Sequence, residues 1–312
     1  MAYLITGGSG FIGAHTVWLL EEQGEEVVIY DSNPDRKIFA RIMVSNRSSG
    51  TVVVKGDITD LQHLHDTCKQ YHIERIIHTA AIIGSEDPPL TVKINCDGTM
   101  NILEVSRLSG IKKVVLSSSV AVFGNIKQYE GGHVLNDAPH YPGTIYGACK
   151  SHNEACAAYY FRYYGLDTVA VRFPHVYGIG RKRGFGSILD DELIIKPATG
   201  RSGQVPNGEA THNWLYAKDA AKALVMASRT KTTKTRAFTA AGDIRTVTKV
   251  ADYIRGRVPD ADITLLPGGA DDGYPYSYDS RPIQQEIGFK PEWTIEDAVT
   301  DMIDSIRINN EE

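Results

Sequence analysis

Thr6-Gly7-Gly8-Ser9-Gly10-Phe11-Ile12-Gly13 follows a short β-rich run, residues 2–6, and opens an apolar-periodic stretch over 10–23. Glycines at 7, 10 and 13 give a tight turn, a close approach of backbone to ligand, and close packing of helix on strand. The first turn of the helix offers unpaired N–H groups and a partial positive charge, which suit a pyrophosphate. The spacing is GxxGxxG rather than GxGxxG, so the surroundings carry the reading. A second strand is predicted over 26–30, and Asp31 stands just past it. A carboxylate there accepts hydrogen bonds from a ribose diol and repels a 2′-phosphate, which selects NAD over NADP. Arg36 and Lys37 stand close by and work against that selection. The competing reading is a glycine turn that only packs a helix; the βαβ setting and Asp31 together argue against it.

Outward from this loop the same rhythm continues. Strands are predicted over 51–55, 75–79, 113–117 and 167–173, separated by helices over 61–71, 90–108 and 144–164. Leu61, Leu64, Cys68 and Tyr71 show the helical spacing. Strands alternating with helices predict an α/β fold, a Rossmann-like doubly wound parallel sheet with its ligand edge at the strands' carboxyl ends. Past Pro174 the rhythm breaks. Glycine-rich loops (177–186 and 199–208) alternate with shorter helices over 218–228, 247–255, 280–286 and 295–306. The expected division is a nucleotide-binding domain over 1–174 and a smaller C-terminal α/β substrate lobe over 175–312, the two interleaved.

The 312 residues carry 33 Lys plus Arg against 38 Asp plus Glu, a net charge of −5 without long like-charge runs. No basic stripe marks a nucleic-acid binder. Charged residues at 23% and hydrophobic ones at 42% describe a folded globular chain. Cys68, Cys96, Cys149 and Cys156 form no CxxC pair and sit in periodic apolar segments, which reads as buried thiols in a reducing compartment. No apolar run reaches the roughly 20 residues of a membrane span. The first strand begins at Ala2, which leaves no room for a signal peptide, so the expected location is cytoplasmic.

Tyr146 and Lys150 stand at i and i+4 of the predicted helix 144–164, on one face. A tyrosine that ordinarily titrates near 10 needs about 4 kcal/mol of differential stabilisation to lose about three pH units. A neighbouring ammonium and a cationic nicotinamide supply stabilisation of that kind. The resulting phenolate accepts the proton of a secondary alcohol whose carbon gives hydride to NAD. Ser117-Ser118-Ser119 follows the strand over 113–117, at the ligand edge, where a hydroxyl can hold the same oxygen. Alone, Tyr-x-x-x-Lys reads as an exposed helical pair; its place after a nucleotide loop and a serine-tipped strand changes that.

With these residues in order, the chain closely resembles the extended short-chain dehydrogenase/reductase family, the NAD-dependent epimerase/dehydratase family that includes nucleotide-sugar enzymes. The matching segments are TGGSGFIG, Asp57-Ile58, Thr79-Ala80-Ala81, Asn95 in an NxxGTxN helix, Val176-Tyr177-Gly178, WLYAKDA at 214–220, and Ile287-Gly288-Phe289-Lys290-Pro291. The resemblance implies a catalytic triad of Ser119, Tyr146 and Lys150. It puts Gly7, Gly10, Phe11, Ile12 and Gly13 along the pyrophosphate, Asp31 at the ribose, Asp57 and Ile58 at adenine, and Ala80 and Ala81 near the inner ribose. Asn95 and Pro174 lie close to the cofactor, and His175, Arg183 and His212 join Ser119 and Tyr146 around the substrate.

Departures from the family pattern narrow the activity. Val120-Ala121 replaces the Asp-Glu pair of the 4,6-dehydratases, which excludes dehydration. His175 and His212 stand where many nucleotide-sugar enzymes have Asn and Arg on the diphosphate, with Arg181, Lys182 and Arg183 close enough to compensate or to form a solvated cluster. Phe123 replaces a common Tyr and is similar to dehydrogenases of small hydroxy or amino acids. The leading expectation is therefore a nucleotide-sugar epimerase acting through a transient keto intermediate. The alternative is a net dehydrogenase of a small sugar, sugar acid or hydroxy acid, and a third reading is an NAD-binding regulator without turnover. His65, Cys68 and His72 share a helical face but lack a fourth ligand, so no metal is expected. The aromatic-rich end of helix 144–164 (Tyr159, Tyr160, Phe161, Tyr163, Tyr164) is expected to be mostly core, with the remainder pairing two subunits as a homodimer.

Overall fold

The first strand, β1 (Ala2–Thr6), is buried along its whole length and leads through the glycine loop into α1 (Phe11–Glu22). In this computed structural model, which describes residues 1–35, 37–42, 51–84, 86–182, 184–268, 273 and 275–310, the order continues with β2 (Glu26–Asp31), α2 (Lys37–Ile42), β3 (Val52–Lys55), α3 (Leu61–Gln70) and β4 (Arg75–His78). Next come α4 (Pro88–Val92), a π-helical turn (Lys93–Asp97), α5 (Gly98–Leu108), β5 (Lys113–Ser119), β6 (His133–Val134), α6 (Ile145–Tyr164) and β7 (Thr168–Phe173). The remainder is β8 (His175–Tyr177), α7 (Phe185–Leu189), a second π turn (Asp190–Ile195), α8 (Lys196–Ala198), β9 (Gly203–Pro206), β10 (Thr211–Tyr216), α9 (Ala217–Arg229), β11 (Ala237–Thr239), β12 (Asp243–Thr246), α10 (Val247–Arg257), β13 (Ile263–Leu266), β14 (Ser277–Tyr278), α11 (Arg281–Glu286) and α12 (Ile295–Asn310).

Seven strands form one parallel sheet in the order β11-β7-β5-β4-β1-β2-β3. Winding reverses between β1 and β4, which opens a crevice at their carboxyl ends. Neighbouring residues of β1 feed opposite layers: Tyr3 and Ile5 pack with Val17, Leu20, Leu224 and Phe238, whereas Leu4 packs with Leu64, Ile102 and Leu103. Both faces are therefore covered, as a parallel sheet requires. A three-stranded sheet, β12-β10-β8, and the pair β13-β9 accompany a further core cluster that includes Trp214, Val250, Ile254, Met302 and Ile303. Elements beyond residue 174 also join the large sheet and its core: β11 is the edge of the sheet, and α9 contributes Ala220 and Leu224 to the same core layer as Val17 and Leu20 of α1.

Two expectations are corrected. The helix over 90–108 starts at Pro88, capped by the Asp87 side chain, and is interrupted by the π turn, a register change for which propensity gives no signal. The four tyrosines at the C-terminal end of α6 are mostly surface: Tyr159, Tyr163 and Tyr164 are exposed, and of these four only Tyr160 is buried. The buried stripe of α6 runs through Gly147, Lys150, Asn153, Glu154, Ala157 and Tyr160, so the other tyrosines fall off it. Among the described residues no helix is long and apolar enough to cross a membrane.

Candidate active site

The crevice between β1 and β4 is built by close backbone contact. Gly7 has φ +66°, and a Cβ there would stand 2.7 Å from Cα of Ala80. A Cβ at Gly13 would stand 2.1 Å from the Gly7 carbonyl oxygen. Gly10 caps α1 with no side-chain cap, so the first N–H groups of Phe11, Ile12 and Gly13 point to the crevice without helical partners. Asp31 accepts from the Ser9 and Asn33 amides at 3.0 and 2.9 Å, which ties the end of β2 to the phosphate loop. The Ser9 hydroxyl is buried with no hydrogen-bond partner among the described residues. A bare helix start, a carboxylate one strand over and a loop that admits no Cβ fit a dinucleotide. Asp57 is held by Thr59, and Ile58 is buried against Gly98, where a Cβ would stand 2.4 Å from Cδ1 of Ile58. Ala80 and Ala81 follow β4 and are partly buried; Pro174 links β7 to β8.

Asn95 lies in the first π turn, and both ends of its amide pair with the backbone of Ile82, at 2.9 Å each. Behind it runs a buried chain that the sequence did not disclose. Thr99 donates to the Asn95 carbonyl and accepts from Asn153 on α6. Nε2 of His78 therefore donates to Thr99, and Nδ1 accepts from Thr6 at 2.6 Å. Burial holds the His78 pKa down at about 3, so the ring stays neutral.

Ser119 closes β5, and Tyr146 and Lys150 stand near the start of α6. Gly147 packs on the Ala121 carbonyl, where a Cβ would stand 2.4 Å away, so the first turn of α6 abuts the turn after Ser119. Ser119 accepts the Ala121 amide at 3.1 Å, and its O–H remains as a donor. Lys150 is buried; its ammonium donates to the Ser117 carbonyl at 2.6 Å and sits 5.5 Å from the Tyr146 ring centroid. Burial pulls the Lys150 pKa down to about 8. Beneath the serines lies a second network missing from the sequence reading: Ser118 donates to Glu154 at 2.6 Å, and Arg172 pairs with Glu154 through Nε and Nη2. A glutamate four residues after Lys150 on the buried face was the available signal.

β8 and β10 place His175 and His212 with ring centroids 5.8 Å apart, each edge-on to Trp214. Arg181 donates to the Val176 carbonyl and lies 6.0 Å over the Phe11 ring. Lys182 instead pairs with Asp35 at 2.8 Å, across from the end of β2. Arg183 and Arg36 lie outside the described residues. Asp190, missed in the sequence, is buried at the start of the second π turn, accepts the Gly178 amide, and faces His175 at 3.7 Å.

A family model described as the NAD dependent epimerase/dehydratase family matches residues 3–241. A Methanocaldococcus jannaschii protein called putative UDP-glucose 4-epimerase is 28% identical, over 98% of this chain and 99% of its own. Among solved structures, the Thermus thermophilus UDP-glucose 4-epimerase in complex with NAD superposes with a TM-score of 0.83 at 23% identity, covering 98% of this chain and 99% of that one. An L-threonine dehydrogenase from Cupriavidus necator superposes at 0.86 and 23% identity, covering 98% and 100%. These two likenesses show the shared fold.

Proposed function

The chain belongs to the NAD dependent epimerase/dehydratase family and uses NAD, and from that premise we propose that it is a nucleotide-sugar epimerase. The observation that carries this is the complete Ser119, Tyr146 and Lys150 set, with Lys150 buried beside the Tyr146 ring. The name of the full-length Methanocaldococcus relative supports the sugar-nucleotide substrate.

Bound NAD supplies reversible hydride acceptance at its nicotinamide. Gly7, Gly10, Phe11, Ile12 and Gly13 would hold its pyrophosphate, with Asp31 on the adenine ribose, Asp57 and Ile58 at adenine, and Ala80, Ala81, Asn95 and Pro174 along the nicotinamide half. Tyr146 takes the proton of the secondary alcohol, Lys150 stabilises the phenolate electrostatically, and the Ser119 hydroxyl holds the reacting oxygen. The keto intermediate then turns its other face in the pocket, and Tyr146 returns the proton. His175 and His212 contact the rest of the substrate from the smaller lobe (175–312).

A second reading, a net dehydrogenase of a small sugar, sugar acid or hydroxy acid, is favoured by one observation. Two histidines against Trp214 occupy the positions where the family pattern has Asn and Arg for a diphosphate. A screen of UDP- and dTDP-sugars and free sugar acids, following NADH absorbance and product stereochemistry, separates the two. Epimer formation without NADH is expected. Stoichiometric NADH transfers the case to the dehydrogenase, and Tyr146→Phe at undiminished turnover removes both. We further propose a cytoplasmic homodimer that pairs through Tyr159, Tyr163 and Tyr164 of α6; a monomeric mass by light scattering at micromolar concentration contradicts the pairing.

A further inference from the structure

Two buried polar atoms in the substrate pocket face each other with no hydrogen-bond partner among the described residues: Nε2 of His175 and Oδ1 of Asp190, 3.7 Å apart. The other carboxylate oxygen, Oδ2, accepts the Gly178 amide at 3.3 Å, which fixes the direction of the carboxyl group. The π turn at Asp190–Ile195 aims this side chain inward, a local irregularity of the kind found at functional sites. Neither buried atom is satisfied unless one proton lies between them, and closing the gap to a normal hydrogen bond takes about 1 Å.

We propose that Asp190 sets the tautomer of His175: protonated, it donates to Nε2, so that the opposite edge of the ring presents an Nδ1–H to an anionic oxygen of the substrate beside Arg181. The identification of that oxygen rests on the pocket assigned above; the tautomer does not. Only 11% of the His175 side chain is exposed, and Nε2 has no part in that exposure, so a ligand meets the ring elsewhere. Burial favours a neutral Asp–His pair over an ion pair. It pushes the Asp190 carboxyl up to about 7 and holds the imidazole well below its ordinary value.

The charged and titratable groups around the pair come from every neighbouring element. Arg181 acts from the β8–α7 loop on both partners, and His212 acts on His175 from β10. Tyr177 stands on β8 itself and feels Asp190, and Tyr146 reaches Arg181 from α6. Arg181 opposes protonation of the ring and favours ionisation of the acid, yet burial is the larger influence on each. The corner therefore offers two donors, a guanidinium and an imidazole N–H, to a carboxylate or a diphosphate oxygen. Above the Asp190 titration the proton moves: Nε2–H then donates to the carboxylate, and Nδ1 becomes an acceptor that repels an anion.

The direct test is ¹⁵N NMR of the imidazole nitrogens in the NAD-loaded full chain, with His175 assigned by loss of its signals in His175→Gln. The expected result is an Nδ1–H tautomer at about pH 6 that crosses to Nε2–H with a midpoint at about 7. Asp190→Asn has an amide that can accept Gly178 and donate to Nε2, so it should hold the Nδ1–H tautomer at every pH. Asp190→Ala should not. An Nε2–H ring or an imidazolium at about pH 6 in the wild type overturns the proposal, and so does an Asn variant that behaves like the Ala variant. Calorimetric titration with UDP and with D-gluconate separates the two sources of anionic oxygen. Affinity for the probe that fits should fall about tenfold between about pH 6 and about pH 8 in the wild type and stay level in Asp190→Asn. A level wild-type affinity, or no binding of either anion, overturns the anion-reading role. Turnover in the sugar screen with a tautomer that ignores pH removes Asp190's role alone and leaves the family activity intact.

Discussion

Lys150→Met should stabilise the NAD-free protein at neutral pH while removing most of its activity. The Lys150 ammonium is buried, and burial lowers its pKa to about 8. Against an ordinary lysine near 10.4, keeping it charged at pH 7 costs about 3 kcal/mol, taking about 1.4 kcal/mol per pH unit. The substitution also removes a charge-assisted hydrogen bond to the Ser117 carbonyl, worth about 1.5–3 kcal/mol, while methionine keeps most of the aliphatic packing. The difference leaves the variant ahead by about 1 kcal/mol at pH 7, a rise in Tm of a few degrees. The sign then depends on pH. Because the folded-state pKa is depressed, the folded wild type binds fewer protons than the unfolded chain between about 8 and about 10.4, so its stability rises through that window relative to the variant. By about pH 10 all but about 1 kcal/mol of the ionisation cost is gone, the neutral amine still donates to the Ser117 carbonyl, and the variant's lead should close or reverse. Thermal unfolding of both proteins at about pH 7 and about pH 10 reads the change, and kcat should fall by about 10²–10⁴ throughout. A wild type that is more stable at both pH values by the same margin refutes the reasoning, because burial would then impose no ionisation cost on Lys150.

Gly13→Ala places a Cβ 2.1 Å from the Gly7 carbonyl oxygen and 2.8 Å from the Thr79 hydroxyl, so the phosphate loop has to move. Calorimetry should show NAD affinity lowered by at least about tenfold, equivalent to about 1.4 kcal/mol, with the circular dichroism of the fold retained. Glu154→Ala leaves the Arg172 guanidinium buried beside the Asn136 carbonyl, His140 and the Phe123 ring without its carboxylate, and should cost about 3–5 kcal/mol in urea unfolding. Replacing both partners, Glu154→Leu with Arg172→Met, should recover most of that loss.

The parts of the fold that were legible are those whose reasons are local. β1, the glycine loop and α1 announce themselves because an apolar strand, a turn without Cβ atoms and a periodic helix follow one another within about two dozen residues. β5 and β7 are read for the same reason, although β5 runs on to Ser119 and so carries that serine at its end. Tyr146 and Lys150 are one helical turn apart, so the sequence already places them together; the structure adds the Ser117 carbonyl that holds the ammonium. β8, β10 and β12 were missed because they are short and form a small sheet in which a strand is recognised by its partner rather than by its own pattern. Asp190 was missed for a related reason. An acid after an apolar turn reads as solvated, and only the π turn brings it inside, opposite a histidine from another element.

Glu154 shows why the interior of the site escapes a linear reading even where its surface residues do not. It stands one turn beyond Lys150, yet its partners are Ser118 on β5 and Arg172 on β7. Arg172 in turn binds the carbonyl of Asn136, whose amide bridges to Ala237 and Thr239 on β11. One ion pair thus fastens the three elements that carry Ser119, Lys150 and the approach to His175. The Coulombic influence of Glu154 on Lys150 also supports the charged ammonium that burial opposes. A carboxylate that only filled space could be replaced by leucine without consequence for the chemistry. One that both ties β5 to β7 and helps keep Lys150 charged cannot, even when stability is restored by removing Arg172 as well. Stability and catalysis therefore part company at this pair: the first depends on charge balance within the pair, the second on which charge is left facing the lysine.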